Sequence, residues 1–233
     1  MALDAAQQIT LPALDKGSVT LVDIMGDDTT PARYARTSFN SRAERPVEQD
    51  RRLVRYLVRH GHTTPLEFCQ ALFYIKAPLF VVQQILRHRT ASVNQVSHRY
   101  VTAPPEFYIP SPERMVTRGA TQKQGSSEEP IAFPLAARVA LELAYEASHA
   151  AYENLLREGL APEIARTVLP TGTYTELYWQ CDLHNILGFL GKRMAPDAQW
   201  ETRQYATAMH ALLLPHFPTA LAAWKEKCTT ESC

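Results

Sequence analysis

Apolar residues recur along several stretches of this chain at steps of three and four, and short runs rich in aromatic and β-branched residues lie between them, which together predict a mixed set of helices and strands. Residues 18–25 form a short β-rich run, and a helix is predicted around 31–38. Pro46 opens a stronger helical pattern, with Leu53, Tyr56, Leu57 and His60 at steps of three and four and Gly61 as its stop. Residues 68–76, rich in Phe, Tyr and Ile, read as a buried strand. Pro78 then begins a second helix that runs into Arg87, with Val82 and Leu86 on its buried stripe and Gln84, Arg87 and His88 along another face. Residues 107–110 are extended, and 111–130, with Gly119, Gly125, Ser126 and Ser127, read as a polar surface loop. Leu135, Val139, Leu143, Ala147 and Ala150 mark one long helix, and 161–168 a short one. Residues 173–179 are aromatic and β-branched and predict a strand. Leu183, Ile186, Leu187 and Leu190 mark a further helix, and 196–214 the last. No internal repeat is present. The fold class is α+β, one domain, with its core at about 19–214 and a short polar tail at about 226–233.

Composition narrows the function. With 24 Lys+Arg against 24 Asp+Glu in 233 residues, the chain lacks the basic surplus of a general nucleic-acid binder. No apolar run reaches the roughly 18 residues of a membrane span, and residues 1–16 carry neither a basic leader nor an apolar core, so the expected location is cytoplasmic. The four cysteines, Cys69, Cys181, Cys228 and Cys233, include no Cys-x-x-Cys pair. That spacing predicts neither a disulfide framework nor a zinc knuckle, and leaves Cys228 and Cys233 incidental.

Against the neutral background one segment is locally positive. Arg87-His88-Arg89-Thr90-Ala91-Ser92-Val93-Asn94-Gln95-Val96-Ser97-His98-Arg99-Tyr100 holds five groups that can be cationic, interleaved with Ser92, Asn94, Gln95 and Ser97. If residues 95–99 are extended, Gln95, Ser97 and Arg99 point one way. A solvated face would explain the helix alone, but two successive elements presenting anion-binding groups favour a phosphate or nucleotide site. A second cluster, His60-Gly61-His62-Thr63-Thr64-Pro65-Leu66-Glu67, lacks a third ligand at metal-like spacing, so it reads as a turn or a ligand-lining loop rather than a zinc site. In the third, 182–193, Asp182 is the expected N-cap, and Ile186, Leu190 and Arg193 fall at i, i+4 and i+7. Either Arg193 extends the apolar stripe and meets an anion, or the helix ends at Gly191 and Arg193 is exposed. His184 and Gly188 lie one turn apart, and a mid-helix glycine marks close approach by another group. With nine glycines there is still no Gly-x-Gly-x-x-Gly and no Gly-Lys-Ser/Thr loop, and no cysteine sits in an activating setting.

The combination Arg87-His88-Arg89 … Ser97-His98-Arg99-Tyr100 resembles the signature of the flavin-dependent thymidylate synthases. The likeness extends to Ala35-Arg36-Thr37-Ser38-Phe39, to residues 59–67, to Phe107-Tyr108-Ile109-Pro110, to residues 165–170, to Asp182-Leu183-His184-Asn185 and to Ala198-Gln199-Trp200-Glu201, covering about 19–214. It implies an antiparallel sheet flanked by helices and a homotetramer whose active sites are shared between subunits. It also implies reductive methylation of dUMP to dTMP, with methylenetetrahydrofolate as carbon donor, NADPH-reduced FAD as hydride donor and no cysteine nucleophile.

By the same resemblance, Gln84, Arg87, Gln95, Val96, Ser97, His98, Arg99, Arg166 and Arg193 would hold dUMP, with Arg193 the catalytic residue at the uracil. Thr64, Arg87, His88, Arg89, Gln95, Asp182, Leu183, His184 and Gly188 would hold FAD, and His62 and Glu67 would lie near folate or flavin. Gly188 stands where a histidine or asparagine is usual, Gly172 where an asparagine is common, and Gly191-Lys192 where a bulkier pair is usual. These departures are expected to cluster at the flavin and to weaken its binding. They also leave a flavin oxidase or another pyrimidine-modifying reaction as the alternative. An RNA-binding protein without turnover is disfavoured by the neutral charge.

Overall fold

The computed structural model describes residues 8–40, 43–119 and 125–230. In chain order it holds β1 (Ile9–Ala13), β2 (Gly17–Met25), α1 (Thr30–Ala35), α2 (Val47–Arg59), β3 (Gln70–Pro78), α3 (Leu79–Ile85), β4 (Ser92–Gln95), β5 (Val116–Arg118), β6 (Ser126–Pro130), α4 (Pro134–Arg157), α5 (Pro162–Ala165), β7 (Tyr174–Asp182), α6 (Leu183–Arg193), α7 (Trp200–Leu213) and α8 (Pro218–Thr230). Five strands form one sheet in the order β1-β2-β3-β7-β4, every neighbouring pair antiparallel. The α+β expectation with a central antiparallel sheet is met.

The period-2 pattern of β3 explains its place at the centre. Ala71, Phe73, Ile75 and Ala77 are buried on one face, beside Leu177, Trp179 and Cys181 of β7. Helices α3, α6 and α7 cover that face with Val81, Val82, Ile85, Ile186, Phe189, Leu190, Tyr205 and Met209. The opposite face carries Tyr74, Glu176, Tyr178 and Gln180, with the Tyr74 and Tyr178 rings 4.8 Å apart, and remains partly open. A second, smaller apolar cluster joins Ala103, Tyr152 and Ala165 under α4. Among the described residues no helix is long and apolar enough to cross a membrane.

Several expectations change. β1 and α8 were not predicted. β1 is an edge strand with little alternation, and α8 buries small residues, Ala220 and Ala223 with Leu221, that give a weak periodic signal. The polar tail expected from 226 is therefore helical to Thr230, while 231–233 lie outside the described residues. The expected loop 111–130 contains the β5–β6 hairpin, with 120–124 outside the described residues. The last predicted helix starts at Trp200 rather than 196. Leu86 is 39% exposed because α3 ends at Ile85, before its stripe reaches that position. Cys228 is disulfide-bonded, contrary to the reading of the cysteines. The stripe Leu135, Val139, Leu143 does lie on one long helix, but it faces outward, at 67%, 51% and 60% exposure.

Candidate active site

The site is built where three helices meet over the covered face of the sheet. Pro78 ends β3, and α3 starts on backbone bonds from Leu79 N to the Thr173 carbonyl and from Phe80 N to the Thr171 carbonyl, both 3.0 Å. Burying Val81, Val82 and Ile85 leaves Gln84, and His88 in the following turn, facing α6 and α7. On α6 the Asp182 carboxylate caps the helix, accepting from Asn185 N at 3.0 Å, and the helix persists through Gly191 to Arg193. Of the two alternatives for Arg193 the structure has the first: the guanidinium extends the buried stripe of Ile186 and Leu190 and is half-buried.

Among the described residues no carboxylate meets it. Arg193 Nε donates to His88 Nε2 at 3.1 Å, Nη2 donates to the Gln84 carbonyl at 3.1 Å, and Nη1 approaches Gln84 Oε1 at 3.5 Å. Among the described residues Arg193 forms no ion pair, and burial lowers its pKa. His88 is pushed down to about 4, first by burial and then by the charges of Arg193 and Lys192. Its ring meets the edge of Phe189 at 4.8 Å. The imidazole is thus neutral at pH 7, with Nε2 as acceptor and the proton on Nδ1. A half-buried cation satisfied by neutral acceptors keeps its full charge for an incoming anion.

Gln84 is tied further. Thr202 Oγ1 donates to its Oε1 at 3.1 Å, and its Nε2 donates to Gln199 Oε1. Gln199 Nε2 donates to Glu201 Oε2 at 3.0 Å. Glu201, 5% exposed, also accepts from Arg114 Nε at 2.8 Å and from the Tyr108 hydroxyl at 3.2 Å. Arg114 in turn lies 5.4 Å over the Trp200 ring. Gln199 and Glu201 entered the sequence reading only as part of a matching segment, with no role. Glu201 and Arg114 are 87 positions apart, beyond any local periodicity.

The other predicted residues are dispersed over the subunit. Residues 95–99 are not one extended run. β4 stops at Gln95, and a turn follows in which the Ser97 carbonyl accepts from Tyr100 N at 3.0 Å and Val101 N at 3.2 Å. Gln95 Nε2 donates to Thr175 Oγ1 at 3.3 Å, and Val96 N to the Glu176 carbonyl at 2.9 Å. Arg99 is exposed with Nε 3.4 Å from Ser97 Oγ, whereas His98 is buried with its Nε2 unpartnered. Arg87, Arg89 and Arg166 are also exposed, and among the described residues none of these four arginines has an ion pair. Arg166 follows Ala165 of the second cluster, away from the main core.

His62 and Thr64 line a cavity of about 710 Å³ with Tyr34, Arg36, Tyr56 and Phe68, while Glu67 is exposed outside it. His184 and Gly188 line another of about 280 Å³ with Leu57, Gly191, Trp224 and Lys227. Trp224 and Lys227 were missed because α8 was missed. Leu183 is a core residue whose N–H bonds the Cys69 carbonyl at 2.8 Å, so its side chain offers nothing to a ligand. Gly172 does not belong to the glycine face of α6. It precedes β7 at the end of the sheet opposite α6, where an added Cβ would overlap the Tyr145 hydroxyl. Cys69 and Cys181 are buried, and burial pushes both thiols up to about 12.

A family model described as thymidylate synthase complementing protein, Thy1, matches residues 20–219. The chain belongs to this family. Its relatives include the flavin-dependent thymidylate synthase of Thermus thermophilus, 44% identical over 94% of this chain and 79% of the relative, and that of Wolbachia pipientis, 41% identical over 94% and 78%. Among solved structures it is similar to the UMP/dUMP methylase PolB from Streptomyces cacaoi. The form bound with 5-Br dUMP superposes with a TM-score of 0.84 at 29% identity, covering 93% of this chain and 97% of that one. The form bound with 5-Br UMP gives 0.81 at 30%, over 93% and 98%.

Proposed function

We propose that the protein methylates dUMP reductively to dTMP, and the observation that carries this reading is the carboxylate-free Arg193 guanidinium seated on His88 and Gln84. Against a pyrimidine ring that cation stabilises negative charge developing at the N3–carbonyl edge, which activates the ring toward a one-carbon electrophile. Arg87, Arg99 and Arg166, exposed and unpaired, are suited to the phosphate, and Gln95, Val96, Ser97 and His98 to holding the rest of the nucleotide. Of these, His98 would act through its backbone, since its ring is buried.

The residues present also fit FAD. Gly188 and Gly191, one turn apart on α6, leave the wall of the 280 Å³ cavity bare, and a Cβ added at Gly188 meets nothing within 4 Å, so a planar group can approach the helix closely. His184, Gly188 and Thr64 would hold it, with Asp182 and Leu183 acting through the helix start and His88, Arg87 and Arg89 through the turn after α3. When bound, FAD supplies the hydride, with NADPH as its reductant. Methylenetetrahydrofolate brings the carbon, with His62 and Glu67 on its side of the site. Neither buried thiol is poised to attack the ring.

Among the described residues, His62 and Thr64 line one cavity, His184 and Gly188 line another, and Arg87, Arg99 and Arg166 are exposed outside both. That dispersal, the outward stripe of Leu135, Val139 and Leu143 and the partly open face of the sheet support a homotetramer with sites completed between subunits. A cytoplasmic location goes with a reaction that draws on NADPH.

The test is product analysis: protein incubated with dUMP, methylenetetrahydrofolate, FAD and NADPH yields dTMP by mass, and Arg193→Ala lowers the yield by two orders of magnitude or more, about the loss seen when a charge-stabilising donor is removed. NADPH consumption without dTMP would replace this reading with a flavin oxidase.

A further inference from the structure

Building on the assignment of the pyrimidine to Arg193, we propose that buried Glu201 is a positioning residue that sets the base specificity of the site, by fixing the direction of a hydrogen-bond chain ending at Gln84. A carboxylate accepts and cannot donate, whereas a carboxamide can turn either way. Glu201 takes donors from Arg114 and Tyr108, so Gln199 must aim its NH₂ at Glu201 Oε2. Gln199 then has only its oxygen left for Gln84, and Gln84 must aim its NH₂ at Gln199 and its oxygen at Thr202 and Arg193. The polarity of two successive carboxamides, Gln199 and Gln84, follows from the one charge on Glu201.

The free valences at the end of the chain are therefore all donors. Gln84 Oε1 has both lone pairs engaged, by Thr202 and Arg193, while Nε2 uses one N–H on Gln199 and retains the other. Arg193 directs three of its five N–H groups to His88 and Gln84 and retains two. His88 Nε2, the nearby acceptor, is occupied by Arg193. The position that separates the bases against these donors is the 4-substituent: uracil places a carbonyl oxygen there, an acceptor for the free N–H groups of Gln84 and Arg193, and leaves its own N3–H to an acceptor elsewhere. A 4-aminopyrimidine brings an N–H₂ against N–H groups and leaves buried donors unpaired on both sides, which is how polar sites reject close analogues.

The experiment is a comparison of dUMP and dCMP dissociation constants by calorimetry on the FAD-loaded full-length protein, for wild type, Gln199→Met and Glu201→Gln. Gln199 is exposed, so its replacement leaves the fold intact, which a thermal melt verifies, and the inference does not hang on the buried Glu201 variant alone. Wild type is expected to favour dUMP by about 100-fold or more, and each variant to shrink that preference by about five- to tenfold as Gln84 becomes free to turn. If both nucleotides weaken in parallel and the ratio holds, Gln199 and Glu201 are structural and the inference is overturned, with the assigned function untouched. If the ratio survives only in Gln199→Met, the polarity does not pass through Gln199, which also overturns it. If wild type binds neither nucleotide, the function itself is wrong and this inference falls with it.

Discussion

Arg193 and His88 form a donor–acceptor pair in which the imidazole serves as a base that does not take the proton: Nε of the guanidinium donates to Nε2 at 3.1 Å, and burial with two nearby cations holds the ring neutral. The pair fixes the guanidinium without neutralising it, as a carboxylate in the same place would.

A pH dependence follows. His88 is pushed down to about 4 in the folded chain against about 6.5 in the unfolded one, so protons bind the unfolded state more readily. Its contribution is fully present above about pH 6.5 and is lost as pH falls through about 4. His210 and His216, also lowered by burial, act in the same direction. In urea titrations between pH 7 and 4.5, His88→Gln, which retains an acceptor for Arg193, is expected to lose stability less steeply than wild type. Parallel curves would mean that the ring binds protons alike in the native and unfolded states.

The buried thiols give a second outcome. With both pushed up to about 12, Cys69 and Cys181 are expected to resist a thiol reagent at pH 8 until the protein is denatured. Cys69→Ala and Cys181→Ala each remove one heavy atom from the core, costing about 1 kcal/mol, and leave dTMP formation within about twofold. A hundredfold loss of turnover in a variant that still folds would assign that thiol to the chemistry.

The two unusual glycines part company. At Gly188 a side chain has room, so Gly188→His is expected to tighten FAD binding by about 1–3 kcal/mol, read by flavin fluorescence, through one added hydrogen-bond partner. At Gly172 it does not. Gly172→Asn is expected to lower the melting temperature because its Cβ collides with Tyr145, and Tyr145→Ala in the same chain should recover part of that loss. If Gly172→Asn alone is neutral, the Tyr145 contact is not tight in solution.

Sequence reading succeeded where the signal is local. The aromatic and β-branched runs that became β3 and β7 and the i, i+4, i+7 line of Ile186, Leu190 and Arg193 are such signals, and the structure bears them out. It failed where partners are distant or the apolar residues are small. Nothing near Glu201 announces Arg114, nothing in Ala220 and Ala223 announces a helix packed on α2, and a period of two carried past Gln95 mistook a turn for a strand. The stripe on α4 shows a different limit, since periodicity tells that a face will be covered but not whether the cover comes from the same chain.

That stripe is the fourth test. Leu143→Glu places a charge at its C-terminal end, 60% exposed in the single subunit. The variant is expected to retain its helical circular dichroism while light scattering drops from the proposed tetramer toward the 26.2 kDa subunit, with dTMP formation lost alongside. An unchanged mass would remove α4 from the interface.

Helix α8 has a double life. Asp28 Oδ1 accepts from Thr219 N at 2.8 Å at its start, Arg59 Nη2 pairs with Glu226 Oε2 at 2.6 Å near its end, and Leu221 enters the core while Trp224 walls the 280 Å³ cavity. Docking of the chain's last helix and occupancy of that cavity are therefore one linked equilibrium: whatever binds there fastens the C-terminal end, and whatever loosens that end, a protease or a badly placed fusion, is felt as lost affinity.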